Sequence, residues 1–178
     1  MQRSLVLFFA ALFAPACWGQ AARVGRPAPQ EKIDGMNLTI FPSGVGLPAG
    51  GGTAEKGKSI FQEKCAVCHN DKGEGREGQY PPLVGGVGTI NTPKPVKTPG
   101  SYWPYATTIF DYVRRAMPYD QPGTLNNNEV YSLVGWILNA NGIIGEKDEM
   151  NKDTLPKVKM PNAGGFILDK RPDVKSKR

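Results

Sequence analysis

Two cysteines and the only histidine of this 178-residue chain fall within five positions, in the stretch Cys65-Ala-Val-Cys68-His69. Thiols at i and i+3 of a helix lie on one face, so both can form thioethers with the two vinyl groups of one porphyrin. The adjacent His69 would then bind the porphyrin iron from the same side. Because this spacing is the attachment motif of c-type haem, it predicts one covalently bound haem c.

Three other kinds of site use the same residue types. A thioredoxin-like redox pair would require a βαβ setting, and the sequence around Cys65 shows no such pattern. A zinc site would lack its fourth ligand, because no second Cys or His pair follows. A structural disulfide would leave the adjacent His69 unexplained.

Haem iron also needs a sixth ligand or an open position. The chain has no second histidine, so methionine is the candidate. Met117 follows a predicted helix and precedes Pro118, whereas Met160 precedes Pro161 but lies beyond the last predicted helix. We predict Met117 as the sixth ligand of the iron, with a gap-filling core methionine as the alternative role.

Three helices are predicted from apolar residues at helical spacing, over residues 53–68, 104–116 and 126–141. The third begins with a capping-box pattern, Asn126-x-x-Glu129, and Gly142 provides a left-handed stop. Between the first two helices, residues 70–103 show no strand alternation. A loop of that length needs something to pack against, which is a second indication of a large non-protein group in the core.

The first 21 residues are predicted to be a signal peptide. Arg3 is followed by an apolar run, residues 5–14, which is too short to span a bilayer, and then by small residues. Cleavage would release an exported, periplasmic protein with no membrane span. An uncleaved anchor is the alternative.

After the signal we expect an N-terminal extension over residues 22–52, a domain over 53–145 and a C-terminal extension over 146–178. Residues 22–156 carry fourteen positive and fourteen negative side chains, while residues 157–178 carry seven and two. A basic tail on a neutral body lacks the patterned basic face of a nucleic-acid-binding protein. We expect the C-terminal extension to bind an acidic partner rather than to complete the domain. A strap over the chain's own surface is the alternative.

The order of these motifs resembles the single-haem class I cytochrome c family, whose Met-Pro ligand precedes the last helix. The resemblance implies an all-α fold around one haem, here with extended arms at both ends. The segment "YPPLVGG" is similar to that family's Pro-x-Leu-x-Gly segment. By that resemblance, the Pro81 carbonyl would accept a hydrogen bond from His69 Nδ1 and Leu83 would pack against the haem. Tyr102, Trp103 and Tyr105 are candidate hydrogen-bond donors to the haem propionates, or core and rim aromatics.

Longer segments resemble one subfamily, the SoxD-like cytochrome subunits of Sox-type sulfane or sulfite dehydrogenases. These segments include "GSYWPYATTIFDYVRRAMPY" and "LPKVKMPNAGGF", and the resemblance covers roughly residues 34–174. It implies a chain that is not an enzyme on its own. Such a subunit accepts electrons from a molybdopterin-containing, sulfur-oxidising subunit and passes them to another cytochrome c. Some members of the subfamily carry two haems, whereas this chain has one attachment motif.

Two other functions use the same haem site. A free-standing respiratory cytochrome c shuttle would need neither of the terminal extensions. An enzyme or gas sensor would need an open haem position, and therefore a Met117 that does not bind the iron.

Overall fold

The computed structural model describes residues 25–36 and 38–167. The predicted signal peptide and the end of the basic tail lie outside the described residues. The chain divides into two compact units, residues 1–37 and 38–178. The described part of the first unit contains one helix, α1 (Gln30–Met36). Among the helices that the structure describes, none has the length and apolar character needed to cross a membrane.

The second unit is mainly helical, as predicted. It also contains two short antiparallel strands that were not predicted. The predicted helix over residues 53–68 is interrupted at Cys65, which separates two helices. The elements are β1 (Gly51–Thr53), α2 (Ala54–Lys64), α3 (Ala66–His69), α4 (Pro99–Tyr102), α5 (Ala106–Ala116), α6 (Asn127–Ala140), β2 (Glu149–Asn151) and a 3₁₀ turn (Leu155–Lys157).

The crossing of α2 over α6 forms the framework of this unit. Gly57 lies so close to α6 that a β-carbon there would overlap the Ser132 carbonyl oxygen. One turn further along α2, the Phe61 ring stacks on Trp136 with ring centroids 3.7 Å apart. Because Gly57 has no side chain, the two helices approach closely enough for these aromatic rings to meet.

The start of α6 is joined to the end of α2 by Glu129. Its carboxylate accepts the Asn126 backbone N–H at 2.8 Å, while the Asn126 side chain accepts the Glu129 N–H, which completes the predicted capping box. The other carboxylate oxygen lies 2.7 Å from Lys64 Nζ. Lys64 immediately precedes Cys65, so this ion pair fixes the end of α2 next to the cysteine motif.

The described part of the C-terminal extension packs on the domain and completes its hydrophobic core. Strand β2 pairs with β1, with Met150 opposite Gly52. Leu155 is fully buried and Met160 is 4% exposed, and both belong to the core cluster of α5 and α6. The prediction that the domain closes without residues 146–178 is therefore wrong for the described part. Its apolar residues lack periodicity because each fills a separate position on the core.

Part of the N-terminal extension is also packed. Ile40 and Leu47 lie against the core, and the Tyr131 hydroxyl donates a hydrogen bond to the Pro48 carbonyl at 2.9 Å. From residue 38 onward the predicted arm is thus part of the compact unit.

Replacing a buried side chain of the C-terminal segment should destabilise the whole unit. We expect Leu155→Ala to lower the free energy of unfolding by about 2–5 kcal/mol, because it leaves a cavity in the core. The exposed neighbour Lys159 is the matched control, and Lys159→Ala should change it by less than about 0.5 kcal/mol. Chemical denaturation of the haem-loaded protein measures both. Equal stability of the two variants would show that the segment is not packed.

The Lys64–Glu129 ion pair should make a pH-dependent contribution to stability. The hydrogen bond from Lys64 lowers the pKa of Glu129 below its ordinary value of 4.5. This stabilisation is therefore present above pH 4.5 and is lost as the pH falls through the folded-state pKa. Glu129→Gln keeps an oxygen for the Asn126 N–H and removes the charge. We expect it to lower the free energy of unfolding at pH 7 by up to about 1 kcal/mol.

The same substitution in a Lys64→Met background isolates the ion pair. There, Glu129→Gln should have a smaller effect, because only the hydrogen bond from the Asn126 N–H still favours the charged carboxylate. A loss of equal size in both backgrounds would mean that the carboxylate acts through the helix cap alone.

Candidate functional site

The two cysteines and His69 share one tight turn at the end of α2. Cys65 ends α2 and begins α3, and its carbonyl accepts the N–H groups of Cys68 at 3.1 Å and His69 at 2.9 Å. Both thiols are free and half-buried. The turn therefore presents two thiols and an imidazole from a stretch of only five residues.

The thiol of Cys65 is in its neutral form at physiological pH. Burial raises its pKa to about 11, although Lys64 opposes the shift. Redox-active and metal-binding cysteines need the opposite shift, because the thiolate is the reactive form. In the part of the chain that the structure describes, no three His, Cys, Asp or Glu side chains are grouped to hold a metal ion. The raised pKa of Cys65 does not fit a redox pair, and the described residues offer no grouped ligand set for zinc.

The imidazole of His69 is held through one nitrogen. Nδ1 lies 3.0 Å from the Pro81 carbonyl oxygen. A carbonyl can only accept, so Nδ1 carries the proton and Nε2 is left available to bind a metal. Burial lowers the pKa of His69, against the opposing effect of Pro81, which favours the neutral imidazole that binds a metal.

Two residues that the sequence analysis missed fasten the turn from outside. Asn70 follows His69 with φ +60°, and its amide donates to the Gly75 carbonyl at 2.7 Å. The Arg76 guanidinium donates to the Val67 carbonyl at 3.0 Å and to the Asn70 side chain at 3.3 Å. Asparagine is enriched among the non-glycine residues that adopt positive φ, which was the only available signal for Asn70.

Met117 and Met160 occupy different environments. Met117 is the C-cap of α5, and its side chain is partly buried against the edge of the core. Met160 is enclosed in the core itself at 4% exposure. A partly exposed thioether can approach a bound group, whereas an enclosed one would require the core to open. This contrast supports the prediction of Met117 as the ligand.

Tyr102 and Trp103 lie at the end of α4, next to the C-terminal segment. Asn162 donates its side-chain amide to the Tyr102 carbonyl at 2.7 Å, and the Phe166 ring meets the Tyr102 ring edge-on at 5.4 Å. Trp103 makes an edge contact with Tyr112 at 5.6 Å. Their hydrogen bonds to haem propionates stay predictions, and Tyr105 is 44% exposed.

The residues present fit a haem. Two thiols share a turn, an imidazole has one free nitrogen, and a thioether lies partly exposed. Several apolar side chains that pack against the core are only partly covered, as a large flat apolar group would require. Those partly buried residues are Ile60, Cys65, Ala66, Leu83, Val84, Trp103 and Met117.

Comparison with known proteins agrees with this site. A family model described as cytochrome c matches residues 54–141. The chain is also similar to a chain in the crystal structure of the sulfane dehydrogenase SoxCD from Paracoccus pantotrophus. The identity is 38% and the TM-score 0.77, and the match covers 85% of this chain and 74% of that chain. This chain belongs to the cytochrome c family. Covalent attachment of haem c is the shared property of that family, and the cysteine motif fits it.

Two curated relatives extend the comparison. A thiosulfate dehydrogenase from Stutzerimonas stutzeri (strain A1501) is 29% identical over 117 residues, covering 64% of this chain and 34% of the relative. A thiosulfate dehydrogenase from Psychrobacter arcticus (strain DSM 17307 / VKM B-2377 / 273-4) is 28% identical over 109 residues, covering 57% and 31%. This cytochrome thus spans about a third of the length of these relatives.

Three methionines test the predicted axial ligand. We expect Met117→Ala to abolish the far-red charge-transfer band of the oxidised protein, which reports iron–sulfur bonding, and to let external ligands bind. Met160→Ala should lower stability by about 2–5 kcal/mol and leave that band in place. Met36→Ala is the silent control for both measurements, since Met36 is 72% exposed. Loss of the band in the Met160 variant alone would move the ligand to the C-terminal segment.

Proposed function

We propose that this cytochrome is the electron-transfer subunit of a periplasmic sulfur-oxidising dehydrogenase. It accepts electrons one at a time from a molybdopterin-containing subunit and passes them to another cytochrome c. The chain supplies no oxidation chemistry of its own in this proposal; that chemistry belongs to the partner.

One observation carries the proposal. The family model matches about half of the chain, whereas the similarity to the SoxCD chain covers 85% of it. The similarity therefore extends beyond the general haem-binding domain into the flanking segments. In this structure those segments are β1, β2 and the buried stretch around Leu155. A general electron carrier has no need of these segments. Their similarity to the SoxCD chain therefore supports a similar role for this chain.

The described residues suit electron transfer. Bound haem iron exchanges one electron between two oxidation states. In this proposal His69, oriented by Pro81, and Met117 would hold the iron, and the two ligands together would leave no position for a small ligand. Methionine ligation raises the reduction potential, which favours acceptance of electrons from a donor subunit. The apolar rim around Leu83 and Trp103 excludes water and disfavours the more charged oxidised form.

The attachment turn also provides access for electrons. Val67 lies between the two cysteines and is 71% exposed. A haem bonded to Cys65 and Cys68 would therefore have its thioether edge close to the surface. We infer that partner proteins exchange electrons with the haem at this edge.

A free-standing shuttle is the second candidate, and one observation favours it. The described terminal segments pack on the chain's own core, so they need no partner to be ordered. Both candidates share the haem site and differ in whether a stable complex with a dehydrogenase forms.

A reconstitution experiment separates the two candidates. The haem-loaded cytochrome is mixed without oxygen with the purified molybdenum subunit from the same organism, with sulfite or protein-bound sulfane sulfur as the electron donor. We expect co-elution in gel filtration and reduction of the haem only when all components are present. A heat-denatured molybdenum subunit is the control. Fast reduction without co-elution would support the shuttle, and absence of reduction by either donor would contradict the proposal.

A further inference from the structure

The loop that carries Pro81 is held by the last turn of α6. Asn141, the C-cap of that helix, directs both ends of its side-chain amide at this loop. Its Nδ2 donates to the Leu83 carbonyl at 3.0 Å, and its Oδ1 accepts the Gly85 N–H at 3.0 Å. One side chain thus satisfies a backbone acceptor and a backbone donor, as a neighbouring strand would.

Before Pro81 the loop is held by its own backbone, because Tyr80 and Arg76 exchange two hydrogen bonds at 2.8 and 2.9 Å. Pro81 and Pro82 have no N–H to donate. Leu83 is therefore the first residue after Pro81 whose N–H can fasten the loop, and it donates to the Gly73 carbonyl at 2.8 Å. The carbonyl of the same residue is the one that Asn141 binds, so residue 83 is held from two sides.

The Asn141 side chain is itself held in place. Its Nδ2 also donates to the Ile137 carbonyl of its own helix at 2.8 Å. A β-carbon at Gly100, on α4, would overlap the Asn141 amide, so that helix packs directly on it. The loop is also held from α4, because the buried Thr98 hydroxyl, at the N-cap of that helix, donates a hydrogen bond to the Gly85 carbonyl at 2.8 Å. An amide fixed on this many sides can define the position of the loop.

We propose that Asn141 is a positioning residue for His69: by fixing the loop at Leu83 and Gly85, it sets the position of the Pro81 carbonyl and thereby the reduction potential of the haem. This inference rests on the proposed ligation of the iron by His69. When Nδ1–H donates a hydrogen bond, the imidazole becomes a more basic ligand, and a more basic ligand favours the oxidised iron. Loosening the loop should therefore weaken that bond and raise the potential.

Three variants of the full, haem-loaded chain test this proposal. Asn141→Ala removes both loop contacts. Asn141→Asp keeps the shape and the acceptor for Gly85 but loses the donor to Leu83. Asn139→Ala is the matched control, because Asn139 lies at the same helix end and makes one side-chain bond, to the Ile144 carbonyl at 3.0 Å, away from the loop.

Two readouts report on His69 directly: the reduction potential, and the solvent exchange rate of the hyperfine-shifted Nδ1 proton in NMR. We expect Asn141→Ala to raise the potential, and both Asn141 variants to speed this exchange about five- to tenfold, the factor expected when a hydrogen bond is weakened. The Asp variant is judged by the exchange rate alone, because its added negative charge itself lowers the potential. Asn139→Ala should leave both readouts at wild-type values even where it lowers the melting temperature.

The result that would overturn the proposal is a wild-type Nδ1 proton exchange rate in Asn141→Asp. If Asn141→Ala fails to retain haem, the Asp variant, which preserves side-chain volume, decides alone. A wild-type protein whose His69 proton shows no hyperfine shift would instead refute ligation by His69. That outcome is distinct, since it concerns the proposed site and not the role of Asn141.

Discussion

The hydrogen bond between His69 Nδ1 and the Pro81 carbonyl is the contact on which the rest of the site depends. This bond selects the imidazole tautomer and fixes the direction of the free nitrogen. It also requires the chain to return to His69 after a loop of about a dozen residues. Most of the polar contacts around the site hold this loop in place. Asn70 and Arg76 fix the turn that leaves the histidine, while Gly73 and Asn141 hold the segment that comes back. A polar network of this kind is stable only when each member finds its partner.

A rigid helical framework positions that network. The close crossing of α2 and α6, permitted by Gly57, places the cysteine turn and the Asn141 amide at fixed ends of two packed helices. Strands β1 and β2 then join the segment before α2 to the segment after α6, and Leu155 closes the core. The loop between α3 and α5 contributes few buried apolar side chains of its own. Its order therefore depends on the helices beneath it and on the group that the partly covered rim is shaped to hold.

The sequence contained strong signals for local features and weak ones for distant contacts. Helix α6 was predictable because Asn126, Glu129 and Gly142 are local signals, and the cysteine motif defines its chemistry by spacing alone. The break at Cys65 was missed because the apolar stripe of α2 continues into the motif. The strands have three residues each, too few for alternation to show. The roles of Leu155 and Asn141 were missed because neither leaves a local pattern in the sequence. Asn141 binds loop residues more than fifty positions away, and Leu155 is an isolated apolar side chain without periodicity.

The central claim is that this chain carries one haem c, attached at a single turn. Trypsin cleavage after Lys64 and Lys72 would isolate residues 65–72, which contain both cysteines and His69. Mass spectrometry of the digested, denatured protein tests the claim directly. We expect this peptide to carry the mass of one haem and every other peptide to have its unmodified mass. An unmodified peptide 65–72 from protein matured in the periplasm, or haem on a second peptide, would contradict it.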